Sequence, residues 1–211
     1  EHEKGRTPNP DILCNREIKF KSFLEYAFKI GADFIATGHY AKIIDKDGAK
    51  FLSRAKDAFK DQTYFLHEVN ETEFNKCIFP LADLNKNEVR DIALREGLIT
   101  ADKKDSVGIC FVGERNLKDF LNRFIDFSKG PIKDESGKII GEHHGSILYT
   151  EGQRQGLQIG GVKGADELPW YVFKKDIKKN EIHVCQGVDN HLLMNDGLFV
   201  ESINWINKID Y

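Results

Sequence analysis

The sequence has little that would indicate a zinc-binding, disulfide-bonded or membrane-spanning protein. Its four cysteines lie tens of residues apart and none belongs to a Cys-x-x-Cys pair, so a structural zinc site is not indicated. No apolar run is long enough to span a membrane, and the first residues do not resemble a signal peptide. We expect a cytoplasmic protein with free thiols and no membrane partner, although two distant cysteines can still meet in the fold.

An excess of positive charge is also missing. The chain has 31 Lys and Arg residues against 34 Asp and Glu residues, for a net charge of −3, which argues against non-specific coating of nucleic acid. The distribution is uneven, because residues 1–60 contain 12 basic and 9 acidic side chains and residues 61–100 contain 4 and 8. A local anion-binding face is compatible with the first 60 residues.

The periodicity that is present indicates an α/β protein. Apolar residues at helical spacing predict an amphipathic helix over 12–30, followed by a short strand over 33–40 and a hairpin over 42–52. A capping-box pattern at 85–88 opens another helix. Alternating strands and a glycine-rich run predict a small β domain over 130–190, and a third piece with one or two strands follows near Leu192.

A proline-rich loop before the first helix delivers a thiol to the helix start. Pro8 and Pro10 restrict the backbone, and Cys14 is predicted to lie in or next to the first helical turn. Unpaired N–H groups and the helix dipole favour a thiolate there. Asp11 is suited to cap the helix or to exchange a proton with a reacting group. Taken singly, a capping Asp and a buried Cys are the commoner interpretations.

Two further segments contain candidate binding residues. Gly38 and His39 lie at the end of the predicted strand, where ligands bind in open α/β sheets, although a hydrogen-bonded turn histidine is equally compatible. Lys60, Asp61 and Gln62 enter an aromatic helix for which Asp61 is a candidate cap. Exposed donors there can meet phosphates or bases, but such a set is usually a solvated helix start.

The second candidate thiol is Cys110, which lies between Gly108 and Gly113. Such a loop can move, and basic residues nearby favour a thiolate. A buried strand cysteine is the ordinary alternative. Cys77 lies in an apolar segment and is predicted to belong to the core.

Six segments together resemble a known family, the bacterial tRNA-specific 2-thiouridylases of the PP-loop class. In chain order they read TPNPDILCNREIKF, FIATGHYAK, KDQTYFL, FPLADLNKNEVRDIA, DSVGICFVGER and YTEGQRQGLQIGG. The resemblance covers nearly all of the chain. It implies the C-terminal part of a PP-loop (adenine nucleotide alpha hydrolase-like) parallel-sheet domain over 1–128, a small central β domain over 129–190 and the start of a β-barrel over 191–211.

The resemblance also implies a reaction. Members use ATP with Mg²⁺ to adenylate the C2 oxygen of the wobble uridine of tRNA, and a protein-bound sulfur then replaces that oxygen to give 2-thiouridine, AMP and pyrophosphate. The implied partners are the anticodon stem-loop of tRNA and a sulfur-carrier protein of a cysteine desulfurase relay. A persulfide on one cysteine needs a second thiol to release its outer sulfur, either through a disulfide or as free sulfide.

Residue roles are implied by position in the matching motifs. Cys14 matches the nucleophile, Cys110 the persulfide cysteine and Asp11 the acid/base, while Asn9, Pro10 and Asp11 match contacts to the target base. Gly38 falls at the ATP site. The matches to tRNA contacts are His39, Lys60, Asp61 and Gln62.

One departure and three alternatives accompany this interpretation. The family's Ser-Gly-Gly-x-Asp-Ser phosphate loop is absent, so we expect an internal fragment, without most of the barrel, that is inactive alone. A dithiol oxidoreductase using Cys14 and Cys110 without ATP is one alternative, and a non-catalytic RNA-binding module is another. An iron–sulfur cluster with ligands from Asp11, Cys14 and Cys110 is a less favoured cofactor.

Overall fold

The structure, a computed structural model, describes residues 2–103, 117–162, 164–200 and 202–207. It divides into two compact units. The first unit comprises Asn9–Phe111 and Glu201–Tyr211, and the second comprises Glu1–Pro8 and Val112–Val200. The predicted domain boundaries at 128 and 190 stay predictions.

The first unit opens with the predicted helix. It runs from α1 (Pro10–Leu13) through a π-helix (Cys14–Ser22) into α2 (Phe23–Lys29). Gly31 follows with φ +96° and ends the helix, so the predicted helix is confirmed. The π-helical middle was not indicated by the sequence, because apolar spacing alone does not separate i→i+4 from i→i+5 hydrogen bonding.

Four short strands of the first unit form two pairs. The strand β1 (Ile35–Ala36) pairs in parallel with a later strand. The hairpin is formed by β2 (Ala41–Lys46) and β3 (Ala49–Arg54). Asp47 and Gly48, both with positive φ, form the hairpin turn, as predicted. The strand β4 is Cys77–Ile78, with Ile35 opposite Cys77. The remaining elements are a 3₁₀-helix (Thr63–Leu66), α3 (Glu71–Phe74) and α4 (Lys86–Arg95).

The core of the first unit is aromatic and aliphatic, and it places the first helix against the strands. Three phenylalanines pack edge to face, with ring centroids 6.1 to 6.2 Å apart. Buried members of this core are Phe20, Leu24, Ala27, Ile35, Ala41, Leu66, Val69, Phe74, Cys77 and Phe79. The predicted core position of Cys77 is confirmed. The predicted capping box is also confirmed, since Asn85 and Glu88 exchange hydrogen bonds at the start of α4.

The second unit contains the predicted small β domain. After α5 (Leu117–Leu121), it consists of β5 (Gly130–Lys133), β6 (Ile139–His143), β7 (Trp170–Asp176) and β8 (Glu181–Gln186), in the order β6-β5-β8-β7. The pair β5–β8 is parallel and the other two pairs are antiparallel. Four fully buried side chains, Ile132, Val172, Ile182 and Val184, form the centre of its core.

The strands expected after residue 190 are not found in the described residues. His191–Leu193 forms a 3₁₀-helix, and 194–200 and 202–207 contain no strand. Residues 202–207 instead bond to other residues of the first unit at separate points. Ile206 accepts from the N–H of Glu71, and the side chains of Asn204 and Asn207 donate to the carbonyl oxygens of His67 and Lys50. These bonds do not form a ladder, so no strand results.

Candidate active site

Asn9 and Pro10 build the start of the helix that carries Cys14. Asn9 has an extended backbone (φ −106°, ψ 94°), and its side-chain oxygen accepts a hydrogen bond of 3.2 Å from the N–H of Asp11. Pro10 occupies the first helical position, where its missing N–H costs no hydrogen bond. The suggestion that Asp11 caps this helix is therefore wrong, because Asn9 caps it and Asp11 lies inside the first turn.

This cap leaves the Asp11 carboxylate without an internal partner. Within the described ranges the carboxylate makes no hydrogen bond or ion pair, and the residue is partly exposed. A carboxylate in this state can exchange a proton with a bound reactant. The acid/base role of Asp11 stays a prediction.

Cys14 follows α1 directly. Its N–H donates to the carbonyl oxygens of Pro10 and Asp11, and its thiol is free and partly exposed. Cys77 and Cys185 are also free but buried, and burial, together with the charge of Glu73, raises the pKa of Cys77 to about 12. Among the described cysteines, Cys14 is thus the accessible one, and its predicted position next to the first turn is confirmed.

Two residues of the π-helix were missed by the sequence reasoning. Asn15 is only 1% exposed, and its amide nitrogen donates to the carbonyl oxygen of Phe65 at 2.8 Å. Lys19 donates to the amide oxygen of Asn15 at 3.1 Å. A signal was present, since Asn15 precedes Phe20 and Leu24 on the buried side of the helix, where a polar side chain requires partners.

His39 lies in a packed environment. Its Nδ1 is 2.8 Å from the hydroxyl of Thr37, and its ring centroid lies 5.7 Å from that of Phe20 and 6.0 Å from that of Phe79. Burial, and secondly the positive charge of Lys19, lower the pKa of His39 to about 4. The imidazole is therefore neutral at pH 7, in the hydrogen-bonded turn that the sequence allowed, and its proposed tRNA contact stays a prediction.

Gly38, between Thr37 and His39, has open space where a side chain would stand. A Cβ built on it meets no atom within 4 Å. A ligand can approach the backbone at this point. The proposed ATP contact of Gly38 is compatible with this space and stays a prediction.

Asp61 and Gln62 shape the loop that they belong to. The Asp61 carboxylate accepts from the N–H of Ala55 at 2.8 Å and from the N–H and hydroxyl of Thr63. Gln62, and not Asp61, occupies the cap position of the following 3₁₀-helix, and its side chain makes no capping bond. Asp61 lies one residue before the cap and accepts from the first helical residue, Thr63. The Asp61 carboxylate therefore already has hydrogen-bond donors within the chain.

The first unit connects three of the sequence motifs. Two hydrogen bonds join Gln62 to Tyr40, the residue after His39. The N–H of Tyr40 donates to the side-chain oxygen of Gln62 at 3.0 Å, and the N–H of Gln62 donates to the carbonyl oxygen of Tyr40 at 2.8 Å. Asn15, next to Cys14, is bonded to Phe65, three residues after Gln62. Cys110 lies outside the described residues, so its distance from Cys14 is not part of this geometry.

Metal-ligand clusters and membrane-spanning helices are absent from the described residues. They contain no group of three or more His, Cys, Asp or Glu side chains placed to hold a metal ion. No helix among them is both long enough and apolar enough to cross a membrane.

Comparison with known proteins gives matches over most of the chain. Residues 1–114 match the family model described as the tRNA methyl transferase HUP domain, and residues 118–186 match the tRNA methyl transferase PRC-barrel domain. Together with the parallel pair β1–β4, the first match confirms the predicted PP-loop-type α/β class. The described residues of the second unit form an open four-stranded sheet and not a closed barrel.

Curated relatives are similar over the full chain. The tRNA-specific 2-thiouridylase MnmA of Methylobacillus flagellatus is 52% identical over 206 residues, which are 98% of this chain and 57% of the relative. The protein of the same name from Pseudomonas fluorescens is 53% identical over 210 residues, 100% of this chain and 56% of the relative. The chain spans somewhat more than half the length of these relatives. Because the HUP-domain model matches more than half of the chain, the protein belongs to the tRNA methyl transferase HUP-domain family.

Proposed function

We propose that this chain is part of a tRNA-uridine 2-sulfurtransferase, an enzyme that exchanges the C2 oxygen of the wobble uridine for sulfur. The observation that carries the proposal is the accessible Cys14 thiol, held one helical turn after the Asn9 cap. It follows, by three residues, the Asp11 carboxylate, which has no partner among the described residues. Relatives more than 50% identical over nearly the whole chain have the name tRNA-specific 2-thiouridylase. Both findings support the same chemistry.

The proposed sulfur transfer uses two thiols. Cys110 accepts the outer sulfur as a persulfide from a sulfur-carrier protein. The Cys14 thiolate then attacks the Cys110 sulfur, a bond forms between the two cysteines, and the outer sulfur leaves as hydrosulfide to attack C2 of the uridine. The alternative is reduction of the persulfide by an external dithiol, which becomes a disulfide and releases the outer sulfur as free sulfide. The chain's own contributions are the thiols, with Asp11 accepting or donating the proton at the uridine.

ATP is the expected co-substrate, and the chain offers part of a site for it. The open space at Gly38 fits the close approach of a nucleotide to the backbone. The sequence contains no Ser-Gly-Gly-x-Asp-Ser segment for the phosphates, so we propose that Gly38 lines one side of a site whose phosphate-binding loop is not in this sequence. When bound, ATP with Mg²⁺ supplies activation of the C2 oxygen as a leaving group.

The proposed RNA partner is the anticodon stem-loop of tRNA. Gln62 uses its side-chain oxygen for Tyr40, which leaves the amide NH₂ oriented as a donor for RNA. The Asp61 carboxylate is bonded to backbone N–H groups, so its contribution to RNA binding is to fix the loop. The target uridine must leave its stack to reach Cys14.

The proposal is tested by product analysis in the full-length protein with ATP, a sulfur donor system and unmodified tRNA. We expect nucleoside mass spectrometry to find sulfur in place of oxygen at the wobble uridine. The Cys14→Ser variant should lose this product, whereas Cys185→Ala, which changes a buried cysteine of the second unit, should retain it.

Other products would contradict the proposal. A methylated nucleoside would favour methyl transfer, the reaction that the family description names. Unchanged tRNA with reversible oxidation of two cysteines would favour a dithiol oxidoreductase. Salt-sensitive tRNA binding without any product, unaffected by loss of either thiol, would favour an RNA-binding module.

A further inference from the structure

A chain of hydrogen bonds fixes one lysine on the helix that begins at Cys14. Lys19 Nζ donates to the side-chain oxygen of Asn15 at 3.1 Å. Asn15 is buried and its own nitrogen donates to the carbonyl oxygen of Phe65 at 2.8 Å. Since Asn15 is anchored at both ends of its amide, it holds the lysine head group in a defined place.

The positive charge of Lys19 has no carboxylate partner in the described residues. Its hydrogen-bond acceptor, the Asn15 amide, is neutral. On the same helix, Lys21 forms an ion pair of 2.9 Å with Glu17. Other lysines of the first unit pair in the same way, namely Lys42, Lys50 and Lys56. Lys19 differs from these in donating to a neutral amide, with no ion pair among the described residues.

The positive charge of Lys19 affects the pKa of His39. Lys19 precedes Phe20, whose ring centroid lies 5.7 Å from that of His39. This contact places Lys19 near the turn Thr37–Gly38–His39, and its positive charge is the second cause, after burial, of the lowered pKa of His39. At pH 7 His39 is neutral and adds no charge. Lys19 therefore supplies a positive charge near Gly38, a backbone position that is open to a ligand.

A lysine that is held by a neutral amide, and has no carboxylate partner in the described residues, keeps its charge for an external anion. We propose that Lys19 binds a phosphate group of the substrate, either in the RNA backbone next to the target uridine or in the nucleotide. The phosphate-bearing substrates come from the proposed function, on which this inference rests. Lysine suits the role because its ammonium acts as a point charge toward phosphate.

The ordinary alternative is that Lys19 merely satisfies Asn15. The variant Lys19→Gln separates the two roles, because the glutamine amide can still donate to Asn15 while the charge is lost. Lys21→Gln is the matched control, since it removes a lysine of the same helix whose charge is already balanced by Glu17. Lys19→Arg keeps the positive charge and should retain phosphate binding.

The experiment measures binding of an unmodified tRNA transcript at several salt concentrations, and binding of ATP, to the full-length protein and these variants. If the phosphate belongs to RNA, Lys19→Gln lowers the salt-dependence slope of tRNA binding by about 1 and leaves ATP binding unchanged. If it belongs to the nucleotide, ATP binding weakens by at least tenfold and the tRNA slope is unchanged. Lys21→Gln should change neither.

The inference is overturned if Lys19→Gln binds both ligands as the unaltered protein does, or if Lys21→Gln weakens binding equally. Far-ultraviolet circular dichroism and thermal melting show whether Lys19→Gln folds normally. If it does not, Lys19→Arg is the deciding variant. A Lys19→Arg protein that folds normally but binds neither ligand normally also overturns the inference. The outcome is separate from that of the proposed function, since binding is measured without formation of 2-thiouridine.

Discussion

At the scale of single residues, His39 shows how tertiary packing sets chemistry. From the sequence, a histidine after a short strand is equally suited to a cleft or to a turn. In the structure its ring packs against Phe20 and Phe79 and bonds to Thr37. These partners lie far apart in the chain, so local patterning does not reveal them.

The titration of His39 gives the first prediction. Its pKa in the folded state, about 4, is below the ordinary 6.5, so the unfolded state binds the proton more readily. Stability is then fully present above pH 6.5 and decreases as pH falls towards 4, by up to about 3 kcal/mol. Proton NMR of the His39 ring should give the low pKa, and Lys19→Gln should raise it.

A His39 pKa of 6 or higher in the folded protein would contradict this packing. His39→Gln serves as the control for stability, because the dependence of the unfolding free energy on pH between 4 and 6.5 should become weaker in it. The same comparison in urea, at pH 7 and pH 5, separates this histidine from the other titrating groups.

At the scale of elements, features that depend on neighbours in sequence could be predicted. The capping box at Asn85, the hairpin turn at Asp47 and the extent of the first helix follow from local rules. The π-helical stretch could not, because apolar spacing does not separate it from an α-helix. The bond from Asn15 to Phe65 could not either, because the two residues lie fifty positions apart. The strands expected after residue 190 fail for a related reason, since a strand exists only where a partner ladder is available.

The close approach at Gly130 in β5 gives a prediction for the second unit. A Cβ there would lie 2.0 Å from the carbonyl oxygen of Asn180 and 2.8 Å from the ring of His143. Asn180 also bonds to Ser128 and Ser146 through its side chain. We expect Gly130→Ala to destabilise this unit by about 2 kcal/mol or more, because backbone and not a flexible side chain must move.

Gly160→Ala is the control for this prediction. A Cβ at Gly160 meets no atom within 4 Å, so its unfolding free energy should change by less than about 0.5 kcal/mol. Urea unfolding followed by the fluorescence of Trp170 in β7 measures both variants. Equal stability of the two would show that β5 and the turn at Asn180 are not packed in this way.

At the scale of the whole molecule, the sequence predicted more of the site than of its surroundings. The helix start with Asn9, Asp11 and Cys14 is formed by consecutive residues, and the structure places all three as one local unit. The relation of Cys14 to Cys110 is not local, and no rule of sequence spacing gives it. The proposed chemistry depends on that relation, since a persulfide must meet the second thiol to release its sulfur.

The most direct measurement is therefore the mapping of sulfur on the two cysteines. The full-length protein is incubated with a cysteine desulfurase and its carrier protein, and peptides containing Cys14 and Cys110 are analysed by mass spectrometry with and without tRNA and ATP. We predict one additional sulfur atom on Cys110, and a Cys14–Cys110 disulfide after turnover that is absent from Cys14→Ser. Two unmodified thiols under conditions in which tRNA is thiolated would contradict the proposed role of these cysteines.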